Sequence, residues 1–335
     1  MSTTIDSRFE GTSSRVETRQ RSDATSYESV GVGRRRSLQA ALVGAQLRWL
    51  VRPWMSPRIS LRFQRILTSL LRWTLPQGKG VMTQRFPLNG RPCDRHVPLH
   101  PLESGAAIVY FHGGGYTVCS PDTHRSLTRM LALEARMVVH VPAYRRAPEN
   151  PYPAQLDDAR ALVAALEREG LDVRKMIFAG DSTGAHLALT LAIQRRDLGL
   201  SMPRSLILIS PCVDWTLASL PTTSTDALLT HAWVTWTRDG YVATALRGTP
   251  LVSPIHADLR HLPPVLIQSS SNELFCHEAQ RLYTALLGAD VSVTWQEWHS
   301  LWHDFQMHAA LVPEGRDAVR RMARFARSEP ELFHT

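Results

Sequence analysis

The stretch Gly180-Asp181-Ser182-Thr183-Gly184 constrains the fold of this chain more than any other part of the sequence. An apolar run at 175–179, typical of a buried strand, comes directly before it, and an apolar helical pattern follows at 185–192. A strand, a Gly-x-Ser-x-Gly turn and a helix form the geometry that raises a serine hydroxyl above a parallel sheet as a nucleophile. The sequence therefore predicts an α/β protein in which Ser182 is a catalytic nucleophile.

A second glycine-rich turn, His112-Gly113-Gly114-Gly115, follows the apolar strand pattern at 106–111. Because glycine has no Cβ, the backbone N–H groups of this turn can all face a ligand. Three glycines alone are more typical of a flexible turn, but two motifs that each follow a strand, in this order, favour a catalytic role. In serine hydrolases such N–H groups act together with that of the residue after the nucleophile. We therefore expect Gly113, Gly114 and Thr183 to form an oxyanion hole.

Further blocks of the sequence resemble one family of enzymes. They are similar to blocks of the bacterial hormone-sensitive-lipase-like esterases, and they lie at 112–116, 120–125, 144–154, 253–259 and 262–268. The resemblance runs from Val97 to Phe325. It implies an α/β-hydrolase fold, in which a mostly parallel central sheet is flanked by helices and carries a helical cap. It also implies a carboxylic ester hydrolase.

The catalytic acid is expected after the nucleophile, because the triad of this fold follows the chain order Ser, Asp or Glu, His. Glu273 lies just beyond the strand predicted at 264–268, and catalytic groups collect at the carboxyl ends of parallel strands. It is our candidate, although the resembled family more often has Asp at this position. Two alternatives are Asp290, in a sequence typical of a turn, and Glu278, on the helix that follows Glu273.

The catalytic base is predicted to be His303, in the loop beyond the strand predicted at 291–296. The resembled family carries its catalytic histidine at this point, ahead of a C-terminal helix. His299 and His308 lie close enough in sequence to suggest a metal site together with His303. Their spacings do not put all three on one helical face with a supporting carboxylate, so we expect no metal.

These residues predict a serine hydrolase that works through an acyl-enzyme intermediate, and the resemblance implies a carboxylesterase acting on short to medium acyl esters. His303 would take the proton of Ser182, and Glu273 would orient its imidazole. The expected partner is a small-molecule ester, and no cofactor is required. The same triad would also serve a lactonase or a natural-product deacetylase. A non-catalytic small-molecule-binding protein is a further alternative, which the intact set of three residues disfavours.

Positive charge is concentrated in one segment of the chain. The formal net charge is +8, yet 34–80 alone holds nine Arg and Lys79 with no acid, interleaved with Trp, Leu and Phe. This pattern predicts two basic amphipathic helices, broken near Pro53 and Pro57. The resembled family has an N-terminal helical cap over the active site at this place, and we interpret the segment as such a cap. A weak membrane-surface contact is the second interpretation. Nucleic-acid binding is disfavoured because no recognition fold accompanies the charge.

The remaining boundaries follow from composition and periodicity. The segment 1–33 is rich in Ser, Thr and Arg without periodicity and is predicted to be disordered. Residues 81–335 are expected to form the catalytic domain, with a cap insertion near 215–250. The sequence does not decide whether the protein forms a homodimer. Strands are expected near 93–99, 106–112, 137–142, 175–180, 205–210, 264–269 and 291–296, and helices near 123–135, 153–169, 183–196, 276–288 and 313–327.

Cysteine usage and hydropathy point to a cytoplasmic protein. The four cysteines form no CxxC pair or dense framework and are expected to be reduced thiols. Two of them, Cys119 and Cys276, lie near the predicted oxyanion and acid loops and are interpreted as packing residues. No apolar run reaches the roughly 18 residues that cross a bilayer, and the first 30 residues lack the apolar centre of a secretory signal.

Overall fold

The computed structural model describes residues 25–31, 33, 35–71, 73, 75–102 and 105–328. Their strands form one nine-stranded sheet with the order β1-β9-β8-β7-β6-β4-β5-β3-β2. In this order, every pair of neighbouring strands from β1 to β5 is parallel, and the pairs β5–β3 and β3–β2 are antiparallel, so β3 alone runs against the other strands described. The expected mostly parallel sheet is therefore confirmed. The strands are β1 Ser26–Val30, β2 Val81–Leu88, β3 Arg91–Pro98, β4 Ala107–Phe111, β5 Val138–Pro142, β6 Met176–Asp181, β7 Ser205–Ile209, β8 Val265–Ser270 and β9 Val293–Trp298.

Helices cover both faces of this sheet, which is why its central strands read as continuous apolar runs. On β4, Ile108 and Tyr110 pack in the core beneath α3 and α8, whereas Val109 and Phe111 pack in the core beneath α4 and α5. The α-helices are α1 Leu38–Gln46, α2 Leu61–Leu71, α3 Pro121–Ala135, α4 Ala154–Arg168, α5 Thr183–Asp197, α6 His231–Tyr241, α7 Cys276–Gly288 and α8 Pro313–Arg327.

The N-terminal edge of the sheet corrects one expectation. We predicted disorder throughout 1–33, and this is wrong for Ser26–Val30, which form β1 and pair in parallel with β9. The strand is anchored by Tyr27, whose ring lies 4.9 Å from that of Trp295 and whose hydroxyl donates to Glu297. Because β1 is a half-exposed edge strand, it needs little apolar sequence. Residues 1–24 lie outside the described part of the chain.

The described part of the segment 34–80 is helical at 38–54 and 61–71, and its other residues form turns and loops. After α1 come a π-helical turn at Leu47–Val51 and a short 3₁₀ turn at Arg52–Trp54, which contains Pro53, and then α2. The inner face of α1 packs against the loop after β9, in a core cluster of Ala40, Val43, Leu47, Trp298, Leu301, Trp302 and Phe305. Within the described residues, no helix is long and apolar enough to cross a membrane.

Candidate active site

Ser182 lies at the sharp turn between β6 and α5. Its φ of 52° and ψ of −116° lie outside the regions that L-residues prefer, and such backbone strain is typical of functional turns. The neighbouring glycines allow the turn to form, since a Cβ on Gly184 would collide with the carbonyl oxygen of Phe111 and a Cβ on Gly180 with the backbone of Gly184. The turn is therefore specified by Gly-x-Ser-x-Gly itself.

A cavity of about 140 Å³ opens beside Ser182. Most of its wall is apolar and comes from the N-terminal helical segment, the glycine-rich turn and the region around α6. These apolar residues are Leu47, Val51, Met55, Leu75, Val118, Leu228, Leu229, Trp233 and Met307. His303, Asp304, Asp181 and His124 line the same cavity. The structure thus brings the predicted nucleophile and base to one apolar site.

One wall of the cavity is tied to the N-terminal helices by a buried hydrogen bond. The indole N–H of Trp233 donates to Oε1 of Gln64 at 2.8 Å, and the Gln64 amide donates to two backbone carbonyls at 2.9 Å. Gln64 is fully buried. The far edge of the Trp233 ring lies against Gly115, where a Cβ would come within 2.9 Å of it. The position of this wall therefore depends on α2.

The glycine-rich turn divides its N–H groups between two tasks. The N–H of Gly113 donates to Asp181 Oδ2 at 3.0 Å, so this group is occupied and its predicted oxyanion role does not fit the structure. Gly114 and Gly115 line the cavity instead, with φ values of 109° and 61°. In the described chain, the N–H groups of Gly114, Gly115 and Thr183 donate no hydrogen bond outside regular helix and strand pairing. The groups available to an oxyanion are therefore those of Gly114, Gly115 and Thr183.

Asp181 holds this turn in place from below. Besides the Gly113 N–H, its carboxylate accepts from the Tyr110 hydroxyl at 2.8 Å and from Nε2 of His124 at 3.0 Å. Burial alone would lower the pKa of His124, but the charge of Asp181, the hydrogen bond to it and the charge of Asp304 together raise it. Burial would likewise raise the pKa of Asp181, yet His124 and Tyr110 hold it below its usual value. The pair of Asp181 and His124 was not predicted from the sequence. The position of an acid, Asp181, directly before the predicted nucleophile was a signal that could have indicated it.

His303 lies in the loop after β9 and is almost fully buried. Its Nε2 lies 3.0 Å from Oδ2 of Asp304, while its Nδ1 is buried without a hydrogen-bond partner in the described chain. Burial lowers the pKa of His303, but the charges of Asp304 and Glu273 outweigh burial and raise it to about 9. The imidazole therefore pairs with Asp304 in this structure, and no hydrogen bond joins it to Ser182 among the described residues.

Glu273 lies in the loop after β8 and is also buried. Its Oε2 accepts from the Ser210 hydroxyl at 2.7 Å and from the Ser270 N–H at 3.1 Å, whereas its Oε1 is buried without a hydrogen-bond partner in the described chain. Burial raises the pKa of Glu273, and the positive charge of His303 opposes this rise. A single hydrogen bond from Nδ1 of His303 to Oε1 of Glu273 would give both of these buried atoms a partner.

The alternative acids have other roles. Glu278 accepts the N–H groups of Val213 and Asp214 at 2.8 and 3.0 Å, and burial raises its pKa to about 7. It therefore holds the backbone after β7. Asp290 lies in the left-handed turn before β9, with a φ of 56°. Neither residue lines the cavity.

The three neighbouring histidines do not converge. Nε2 of His299 lies 2.7 Å from the Ser29 hydroxyl, and the ring of His308 packs 5.6 Å from that of Trp302. In the described residues, no group of three His, Cys, Asp or Glu side chains is placed to hold a metal ion.

Asp304 and Ser210 are site residues that sequence reasoning missed. Asp304 has a left-handed φ of 55°, its carboxylate faces His303, and burial raises its pKa to about 6. Ser210 donates to Glu273 and accepts the Asp304 N–H at 3.3 Å, so it joins the acid loop to the histidine loop. For Asp304, its position directly after the predicted base could have indicated a role in the site. For Ser210 no local signal exists.

Cys119 lines the cavity, and burial raises the pKa of its thiol to about 12. The Cys276 thiol lies 3.4 Å from Oε1 of Glu297, and burial raises its pKa as well. Both side chains are therefore neutral at physiological pH, which removes the thiolate that reactive cysteines need.

Comparisons with known proteins agree with this geometry. The sequence profile of a family described as the alpha/beta hydrolase fold matches residues 108–307. An acetyl-hydrolase of Streptomyces hygroscopicus is 36% identical over 229 residues, which are 68% of this chain and 77% of the relative. An esterase of Acinetobacter venetianus is 37% identical over 226 residues, which are 66% of this chain and 74% of that protein.

Solved structures show the same similarity. The crystal structure of an esterase from the bacterial hormone-sensitive lipase family superposes with a TM-score of 0.80 and 28% sequence identity. The match covers 88% of this chain and 99% of that esterase. The similarity thus includes most of the sheet and its flanking helices.

Proposed function

Because the chain belongs to the α/β-hydrolase fold family, within the bacterial hormone-sensitive-lipase-like esterases, we propose that it cleaves esters through an acyl-enzyme on Ser182. It is a carboxylic ester hydrolase. The observation that carries the proposal is the strained Ser182 turn, which opens onto an apolar cavity that His303 also lines.

The proposed mechanism starts with a change of partner at His303. His303 first loses its Nε2 proton to solvent and separates from Asp304, and the neutral imidazole, which keeps its Nδ1–H, then accepts the proton of Ser182 Oγ as that oxygen attacks the ester carbonyl. Oε1 of Glu273 accepts the Nδ1–H, which satisfies both buried atoms and stabilises the imidazolium. The imidazolium then protonates the leaving alcohol, and the acyl group remains on Ser182. Water, deprotonated by the same imidazole, releases the acid and restores the serine.

The oxyanion of each tetrahedral intermediate would accept from the N–H groups of Gly114, Gly115 and Thr183. Each well-placed donor lowers the barrier by roughly 3 kcal/mol. Asp181 contributes indirectly, because it fixes Gly113 and so sets the direction of the next two N–H groups.

The cavity favours a short to medium acyl chain. Its volume of about 140 Å³ and its apolar wall suit a few methylene groups beside Ser182, and Trp233 closes one side. One relative is named an acetyl-hydrolase, which favours the short end of this range and keeps deacetylation of a natural product as a second candidate.

Steady-state kinetics on p-nitrophenyl esters of graded length would test the proposal. We expect kcat/KM to peak between acetate and hexanoate, and Ser182→Ala to lower kcat on the order of 10⁴-fold or more. Ser201→Ala, at an exposed serine in the loop between α5 and β7, is the matched control. A rate in Ser182→Ala close to the wild-type rate would contradict the proposal, and a peak at long chains would contradict its substrate class.

A further inference from the structure

The helix α2 is oriented with its polar face inward. Gln64 and Thr68 are buried against the protein, at 0% and 6% exposure, whereas Phe63, Ile66 and Leu70 on the opposite face are 42%, 50% and 55% exposed. In a helix of a globular protein the apolar stripe normally faces the core. The reversed orientation leaves an apolar stripe in contact with solvent.

A second exposed apolar stripe lies on the helical segment that runs from the start of α1 to Val51. Leu38, Leu42 and Trp49 follow one another at helical spacing and are 72%, 57% and 74% exposed. Nine of the nineteen exposed large apolar side chains of the described chain lie between residues 38 and 73. We call this set the docking face: Leu38, Leu42, Trp49, Leu50, Trp54, Phe63, Ile66, Leu70 and Trp73.

The segment that forms the docking face also carries exposed cationic side chains. Arg35, Arg36, Arg48, Arg58 and Arg62 are exposed, and none of them forms an ion pair with a described residue. The whole segment 34–80 contains no Asp or Glu that could neutralise them. An apolar helical face bordered by arginines and containing tryptophan is the composition of helices that lie in a membrane interface.

We propose that the docking face binds the surface of an anionic membrane. A second copy of the chain would fit less well, because a symmetric contact would place arginines opposite arginines with no acid in either segment. An anionic bilayer instead offers apolar depth for the tryptophans and leucines and negative headgroups for the arginines.

The same segment forms part of the catalytic cavity. Leu47 and Val51, on the inner side of the segment that carries Leu42 and Trp49, line the cavity beside Ser182. A bound membrane would therefore lie next to the cavity wall, and apolar esters dissolved in the membrane would be close to the catalytic cavity. The binding step itself requires neither Ser182 nor His303 and goes beyond the proposed function.

Sedimentation of the full-length protein with vesicles would test the proposal. We expect binding to vesicles of phosphatidylcholine mixed with phosphatidylglycerol, much weaker binding to phosphatidylcholine alone, and a loss of binding as salt is raised. Trp49→Ser with Ile66→Ser should weaken the partition coefficient about tenfold or more. Arg58→Gln with Arg62→Gln should weaken it by roughly fivefold for each charge removed.

Matched controls use exposed residues elsewhere. Leu198→Ser with Leu200→Ser, and Arg160→Gln with Arg168→Gln on α4, should bind as the wild type does. Ser182→Ala should also bind fully, so failure of the esterase proposal would not alter this result. Equal binding to both vesicle types, no binding, or unchanged binding by the Trp49 and Ile66 variant would overturn the proposal. So would a dimer, seen by analytical ultracentrifugation, that this variant dissociates.

Discussion

His303 lies beside two buried carboxylates, and the two have different consequences for its chemistry. Glu273 lies in the loop after β8 and would orient the imidazole in the proposed mechanism, whereas Asp304 pairs with Nε2, the atom that accepts the proton of Ser182 in that mechanism. Both charges favour the imidazolium and together raise the pKa of His303 to about 9. A protonated imidazole cannot act as a base, so the Asp304 contact stabilises an inactive arrangement.

Asp304→Asn should therefore change the pH dependence of turnover. Removal of this anion lowers the pKa of His303, and a general base works above its own pKa. The acid limb of the pH–kcat/KM profile should shift to lower pH, and activity at neutral pH should rise. Asp290→Asn, in an exposed turn, is the control. A shift of the acid limb to higher pH would show that Asp304 assists rather than competes.

Glu273 and Glu278 can be separated by amide substitutions. Glu273→Gln keeps the shape of the side chain but removes the charge that orients and stabilises the imidazolium, so kcat should fall on the order of 10⁴-fold. Glu278→Gln retains an oxygen for the N–H groups of Val213 and Asp214, and kcat should stay near the wild-type value. Measured kcat values for the two variants decide the assignment, and a reversed order would make Glu278 the acid.

For individual residues of the site, the sequence predicted which side chains lie near one another, but it did not predict every hydrogen bond. Ser182 could be selected because its turn depends on neighbours in the chain, namely Gly180 and Gly184. The Gly113 prediction failed because Asp181, 68 residues away, takes that N–H group. A local motif does not reveal which of several adjacent N–H groups a distant carboxylate will occupy.

Among the strands, β1 and β2 were missed and the central strands were predicted. β4, β6, β7 and β8 are buried on both faces and read as apolar runs. β1 has the sequence SYESV, and its stability comes from pairing with β9 and from the Tyr27 ring against Trp295, which only the folded sheet provides. An edge strand of this kind has almost no signal in the sequence.

Truncation at two points would measure the contribution of β1. Removal of 1–33 should lower the melting temperature by roughly 3 °C or more relative to removal of 1–24, because it exposes the edge of β9. Thermal unfolding followed by circular dichroism gives both values. Identical melting temperatures would mean that the β1–β9 pairing contributes nothing measurable to stability.

Across the whole molecule, the two parts of the expected cap are joined at one buried amide. Gln64→Leu should leave the Trp233 indole N–H and two carbonyls without partners, lowering the free energy of unfolding by about 2 kcal/mol or more. Since Trp233 forms a cavity wall, the preferred acyl length should shift as well.

Gln77→Leu, at an exposed residue of the same segment, is the control. Urea unfolding together with the ester series would show both effects, and a stability change without any shift in acyl preference would contradict a role for α2 in shaping the cavity.

The mostly parallel sheet and its flanking helices could be predicted from the whole sequence, because alternating apolar strand and amphipathic helix patterns leave few other arrangements. The orientation of α2 could not. Its periodicity indicates one apolar and one polar face, and hydropathy favours burial of the apolar face. The buried hydrogen bonds of Gln64 and the ion pair of Arg65 with Glu149 favour the opposite orientation.

Covalent labelling by a fluorophosphonate, read by peptide mass spectrometry, would show whether Ser182 is a nucleophile that His303 activates. We expect one adduct on the peptide that contains Ser182, no adduct in Ser182→Ala, and greatly slowed labelling in His303→Ala. An adduct on another residue, or labelling of His303→Ala at the wild-type rate, would contradict this assignment.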